Sequence, residues 1–222
     1  MTARSALVLG ATGLVGQKCL DLLLEDSSYG AVHVIVRKPL ARQHPKLQQQ
    51  VIPFTELEAT VARVGAAEVF CCLGTTIKQA GSKEAFRRVD YEYPFRAAKS
   101  AAASGAKQFL IVTALGSDPS SMIFYNRVKG EVERDICALP LPTVHVLQPS
   151  MLLGERSEQR AGEAIGKVVM RLFQPLMLGG ARKYRAIEGA AVARAMVALA
   201  KQDKPGKHTH ASDELAQLGS VS

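Results

Sequence analysis

The sequence predicts an α/β fold: a doubly wound parallel sheet with helices on both faces and a small C-terminal substrate lobe. Three observations lead there. Short apolar runs alternate with longer helical patterns, which makes the crossovers helical and the sheet mostly parallel. A glycine-rich turn, Gly10-Ala11-Thr12-Gly13-Leu14-Val15-Gly16, follows the first apolar run and opens the first helical one. The length of 222 residues suffices for one well-buried core and is short for two.

Taken in order, Ala6 to Leu9 reads as the first strand and Leu14 to Leu24 as the first helix. Val32 to Val36 is the second strand, followed by a polar stretch, and Gln50 to Ile52 supplies a short third. Val69 to Leu73 precedes a helix over Lys83 to Ala103. Phe109 to Val112, a helix around Met122 to Ala138, and Val144 to Leu147 complete six strands in the expected order 3-2-1-4-5-6, with a ligand at the switch point. The tail holds an amphipathic stretch from Ile165 to Phe173 and a helix from Glu188 to Lys201. A last strand at Lys207 to Ala211 follows, with Ser212 capping a final turn. The expectation is one domain over residues 1–222, a cofactor-binding core to about residue 150 and a small lobe after it.

Hydrophobic residues at 47% and charged residues at 22% describe a globular chain and exclude disordered and collagenous classes. No apolar run approaches the roughly 20 residues of a membrane span. Met1 to Arg4 runs straight into the first strand without an apolar signal core, so a cytoplasmic location is expected. Cys19, Cys71, Cys72 and Cys137 show neither a zinc pattern nor a disulfide framework. The formal net charge of +8 favours anionic ligands such as a dinucleotide, but Lys and Arg are scattered and carry no nucleic-acid-binding signature.

Within the glycine turn, Gly10 permits the tight bend, Gly13 lets backbone amides approach a pyrophosphate, and Gly16 lets helix and strand pack closely. The amides of Thr12, Leu14 and Val15 belong to the same anion-binding helix start. The end of the second strand selects the dinucleotide. An NAD site would place Asp or Glu there, whereas Val36 is followed by Arg37 and Lys38, two cations that suit the 2′-phosphate of NADP(H).

Tyr125-Asn126-Arg127-Val128-Lys129 places Tyr125 and Lys129 one turn apart on one helix face, after the fifth strand. A tyrosine exchanges protons near neutrality only when its pKa falls well below ~10, and a neighbouring ammonium pushes it that way. Together, Gly10 to Gly13, Phe70-Cys71-Cys72-Leu73-Gly74-Thr75-Thr76, Val89-Asp90, and Tyr125 to Lys129 followed by Gly130-Glu131 resemble the atypical short-chain dehydrogenases/reductases. Within these Rossmann proteins the likeness is closest to the HIV Tat-interacting oxidoreductase branch. It covers nearly all of the cofactor-binding part, and Cys71 to Thr76 is its most specific piece.

The resemblance implies that Leu73, Gly74 and Thr75 line the cofactor near its ribose, that Tyr125 is the general acid/base, and that Lys129 holds the nicotinamide ribose. Thr113 matches the family's catalytic serine, and Pro149 the proline beside the nicotinamide carboxamide. Three positions depart from the family pattern: Ile52-Pro53-Phe54 lacks an acid, Gln148 stands where many relatives have arginine, and Ala114 removes a second hydroxyl.

Other features stay outside this reading. His208 and His210 share a strand face without a third ligand and read as solvated tail residues; His33 and His145 read as core or edge histidines. Ile165 to Phe173 suits core packing, a homodimer or protein-partner face, a flexible substrate lid, or a membrane surface. Two functions follow. One is an NADPH-dependent reductase of a small carbonyl or enone; the other is a non-catalytic NADP(H)-sensing regulatory module.

Overall fold

A computed structural model describes residues 3–154 and 179–220. The first strand, β1 (Arg4–Leu9), is buried over its last four residues and leads through Gly10 to α1 (Leu14–Glu25). β2 (Tyr29–Val36) and β3 (Leu47–Val51) follow, then α2 (Leu57–Val64) and β4 (Glu68–Cys71). Two short helices, α3 (Ile77–Ala80) and α4 (Lys83–Arg87), are capped by the side chains of Thr76 and Ser82. A π-helical turn, Arg88–Glu92, joins α4 to α5 (Tyr93–Ala103). Next come β5 (Gln108–Val112), α6 (Phe124–Cys137), β6 (Thr143–Gln148) and the short β7 (Leu152–Leu153). The chain ends with β8 (Ile187–Glu188), α7 (Gly189–Ala200), β9 (Gly206–Ala211) and α8 (Ser212–Leu218).

Among the described residues the main sheet has seven strands in the order β3-β2-β1-β4-β5-β6-β9, with every neighbouring pair parallel. The expected order is met and extended by β9 at the β6 edge. β7 and β8 form a separate parallel pair. The alternation of faces along each strand divides the core in two. On one face Leu20, Leu23 and Leu24 of α1 pack with Val192, Met196 and Leu199 of α7 and Leu215 of α8. On the other, Leu57 and Val61 of α2 meet Ala97, Ala98 and Ala101 of α5 and Val132 and Ile136 of α6. Cys71 and Cys72 fall on opposite faces, as adjacent strand residues must.

Three details differ from the sequence reading. A helix, α2, follows β3, because Leu57 and Val61 lie one turn apart and supply an apolar face opposite Glu58 and Arg63. The long helix over Lys83 to Ala103 is interrupted by the π turn, which swings Asp90 to the inside. Ser212 caps nothing: it is the first residue of α8, and its hydroxyl lies 3.0 Å from that of Ser150. The stretch from Ile165 to Phe173 lies outside the described residues.

Candidate dinucleotide and catalytic site

Gly10 adopts φ +80°, and a Cβ there would come within 2.5 Å of the Cys72 carbonyl oxygen. A Cβ on Gly16 would run into the Gly10 carbonyl, so the turn is pressed against both its own helix and the end of β4. Gly13 is different: its nearest obstacle would be the Gly10 oxygen at 3.3 Å, and it is exposed. No side chain caps α1, whose first-turn amides therefore face outward past Thr12 and Gly13. Leu14 offers only its amide, because its side chain is packed on Gly154 and Gly189. Val15 and Gly16 are buried. A helix start with no capping side chain, behind a loop of small residues, fits a pyrophosphate.

Beyond β4, Leu73, Gly74 and Thr75 turn along α6. The Thr75 amide donates to Asp90 Oδ2 at 2.9 Å, and the Lys129 ammonium meets Asp90 Oδ1 at 2.7 Å, with both charged side chains buried. A Cβ on Gly74 would lie 3.7 Å from Lys129 Nζ, so the loop is flush against the ammonium. Burial alone would lower the Lys129 pKa, but the charge and hydrogen bond of Asp90 outweigh it and hold the group above its ordinary value. Lys129 is therefore a cation at neutral pH. Tyr125 is half-buried, its ring 5.4 Å from that of Phe86. Cys71 is no nucleophile, since burial pushes its thiol up to about 12.

Thr113 is buried just past β5, its amide and hydroxyl both donating to Leu147 O, at 2.8 and 3.2 Å. Its hydroxyl also approaches Glu133, one turn beyond Lys129 on α6. The Gln148 side chain donates to Glu133 Oε2 at 2.9 Å. Burial holds the Glu133 carboxyl above its ordinary range, against the hydroxyls of Thr113 and Ser117 and the Gln148 amide, which favour the charged form. Pro149 is buried and accepts the Leu115 amide at 2.9 Å. Arg37 and Lys38 are exposed at the end of β2, and the Arg37 guanidinium lies 6.0 Å from the Phe54 ring centre. A cavity of about 510 Å³ opens nearby, walled by Ala11, Gln17, Asp21 and Arg42, the last two ion-paired.

The structure thus gathers Gly74, Thr75 and Lys129 around Asp90, with Tyr125 one turn before Lys129 on α6. Against solved structures, the chain superposes on a UDP-glucose 4-epimerase from Thermotoga maritima with a TM-score of 0.67 and 16% identity, covering 97% of this chain and 80% of that one. MoeE5 in complex with UDP-glucuronic acid and NAD gives 0.70 and 18%, over 92% and 75%. These likenesses show a Rossmann fold. No model of a known protein family matches. By sequence, the chain is 34% identical over 203 residues to Protein FMP52, mitochondrial, from Debaryomyces hansenii, covering 89% of this chain and 88% of the relative. It is also 34% identical over 201 residues to Protein HTATIP2 from Rattus norvegicus, covering 89% and 81%.

The chain belongs to the FMP52 and HTATIP2 family. Its resemblance to the Tat-interacting branch of the atypical short-chain dehydrogenases/reductases is thereby established. The cytoplasmic expectation is corrected by the same finding, because FMP52 relatives are named as mitochondrial proteins. The expectation rested on a missing apolar signal core, and mitochondrial addresses are amphipathic and Arg-rich instead. No helix among the described residues is long and apolar enough to cross a membrane.

Within this FMP52/HTATIP2 chain the sequence reading gave no role to two residues of the site. Asp90 was visible only as part of a motif, and Glu133 not at all. The spacing of Tyr125, Lys129 and Glu133, each four apart on one helix face, was the available signal for Glu133. The tail histidines are also corrected. His210 is buried, 3.0 Å from His145 Nδ1 and 2.7 Å from Glu214, and the His145 and His208 rings stack 5.1 Å apart.

Proposed function

We propose that this chain is an NADPH-dependent reductase of a small carbonyl or enone, a single-domain enzyme acting in mitochondria like the FMP52 relatives it resembles. The observation that carries this reading is the buried, charged Lys129, held by Asp90 beside Tyr125 and flush with Gly74. Bound NADPH would supply a hydride. The first-turn amides of α1, with Thr12 and Gly13, hold the pyrophosphate, and Arg37 with Lys38 takes the 2′-phosphate. Lys129 and the loop from Leu73 to Thr75 hold the nicotinamide ribose, while the segment at Pro149 keeps the carboxamide in place. Tyr125 gives its hydroxyl proton to the oxygen on which negative charge develops, and Thr113 polarises that oxygen. MoeE5 is solved in complex with NAD; the cations after β2 argue for the phosphorylated cofactor here.

Thr113 spends its hydroxyl on Leu147 O and Ala114 adds none, which keeps an NADP(H)-sensing role as the second reading. One experiment separates the two. Cofactor affinity by calorimetry and turnover of a panel of small carbonyls are measured for wild type, Arg37→Ala and Tyr125→Phe. The reductase reading expects Tyr125→Phe to lose about 10²- to 10⁴-fold in kcat with NADPH affinity kept. It expects Arg37→Ala to lose about tenfold or more in preference for NADPH over NADH. Equal turnover by wild type and Tyr125→Phe sinks it.

A further inference from the structure

Just before β8 the chain makes a 3₁₀ turn, Gly179–Tyr184, and Arg185 extends it by donating its amide to Arg182 O at 3.0 Å. Side chains three apart eclipse in such a turn, so Arg182 and Arg185 leave the backbone on one side. Both line a cavity of about 260 Å³ between this turn and α8, and the proposed chemistry gives that cavity no task. The turn itself is fixed to its neighbours. Ser150 donates its hydroxyl proton to Arg185 O, Ser212 then gives its own to Ser150 Oγ at 3.0 Å, and the Ile187 amide donates to Met151 O at 2.9 Å.

Elsewhere on the chain, guanidinium groups are spent on the protein. Arg42, Arg87, Arg96 and Arg134 each meet a carboxylate, and Arg127 and Arg194 a main-chain carbonyl. Among the described residues the side chains of Arg182 and Arg185 meet neither, and Arg185 Nε is shut off from solvent without an acceptor. Arg37 and Arg88 also lack an acceptor, but both are exposed. Asp213 is the one carboxylate that lines the cavity, and it forms no ion pair with a described residue. Two cations against one anion leave the lining positive. Ser220 donates to Gln217 O at 2.7 Å, so with Ser212 engaged on Ser150 the arginines are the charged donors left to a ligand.

The cavity also limits the size of what it takes. At roughly 30 Å³ for each water it has room for roughly nine, less than the ~300 Å³ at which pockets for whole drug-sized ligands begin. One end of a small molecule fits, with Ala186, Ile187 and Ala216 as an apolar wall for its carbon stem. Guanidinium forks match carboxylate and phosphate oxygens in geometry as well as in charge. We propose that this cavity is an anion site, in which Arg182 and Arg185 grip the carboxylate or phosphate end of a small molecule. No residue of α1 lines it, so its occupant is not the pyrophosphate given to that helix. Ser150 directly follows Pro149, which ties the site to the segment assigned to the carboxamide. That the anion is one end of the reductase's substrate rests on the reductase reading, whereas the site does not.

Arginine side-chain NMR of the whole protein tests the site without substrate or cofactor, because the Nε–H signal of each arginine is read separately. Arg182→Lys and Arg185→Lys assign the two signals by their loss. In titrations with inorganic phosphate and, separately, with malonate, both signals should move together and saturate; the tighter anion identifies the group that the site prefers. A charge-assisted contact to an anion is worth about tenfold or more in affinity, so Arg185→Gln should weaken the response of the Arg182 signal by that factor. Asp213→Asn removes the one repelling charge and should bind the anions severalfold tighter, a gain that misfolding cannot mimic. Signals that stay still, or that drift with anion concentration without saturating, overturn the proposal, as does an Asp213→Asn variant that binds no tighter. An inactive protein would leave all of these shifts in place, and a cavity that binds no anion would leave the case for Tyr125 and Lys129 as it stands.

Discussion

The two oxygens of Asp90 serve different elements, one meeting the Lys129 ammonium on α6 and the other the Thr75 amide after β4. Truncating this side chain leaves a buried ammonium without its counter-charge and a loop without its tie. Breaking a buried pair from one side costs about 3–5 kcal/mol. Asp90→Ala should lose about that much in urea unfolding at pH 7, whereas Asp90→Asn, which still accepts from Thr75, should lose less. A loss under about 0.5 kcal/mol for Asp90→Ala, the size of an ordinary surface change, would mean that the pair is solvated. At this scale the sequence was legible where spacing is local. Gly10 to Gly16 and the Tyr125 and Lys129 pair announce themselves within a single turn or helix. Asp90 and Glu133 owe their surroundings to partners brought in by the sheet, and a side chain's burial and pairing across such distances leave no local pattern to read.

Helix α6 approaches the chain before it so closely that a Cβ on Gly130 would overlap the backbone of Asp118 and Pro119. Two effects compete in Gly130→Ala. Helix propensity favours alanine by about 1 kcal/mol, while overpacking against backbone costs typically about 1–3 kcal/mol. The second should win, so the variant should melt lower than wild type, and the shift of residues 113–119 should weaken NADPH binding measured by fluorescence. A higher melting temperature would show that the loop yields freely. Elements with a strong period were legible: α1, α6 and α7 lie within two residues of their expected ends. The second helix was not, because it has only eight residues, too few for a helical period to stand out, with Leu57, Val61 and Val64 on its apolar face. Nor was the break in the long helix, since a π turn has no sequence period of its own and arises here with Asp90 turned inward.

Over the whole molecule, acid should act first at the β6 and β9 edge of the sheet. Burial, with His210, His208 and Lys204 adding to it, lowers the His145 pKa to about 4, and Glu214 faces the cluster from α8. A histidine depressed below its unfolded value of ~6.5 leaves the folded state with fewer protons than the unfolded one. Stability is then intact above pH 6.5 and falls as the pH drops from there to about 4, by up to about 3 kcal/mol. His145→Phe should flatten that part of the melting-temperature profile; an unchanged slope would place the acid sensitivity elsewhere. The doubly wound order was legible because strand and helix alternation constrains it. The seventh strand fell in the predicted place, but nothing in its residues said which strand it would join. The packing of α7 on α1 joins the N-terminal and C-terminal parts of the chain, and Arg4 of β1 donates to Ala200 O at 2.9 Å. During synthesis the ribosome releases α1 long before α7, so the Leu20 and Leu24 face is made early and covered late. Until that cover arrives, the nascent chain displays an apolar stripe of the kind chaperones hold, and a helix made near the end of synthesis closes the first.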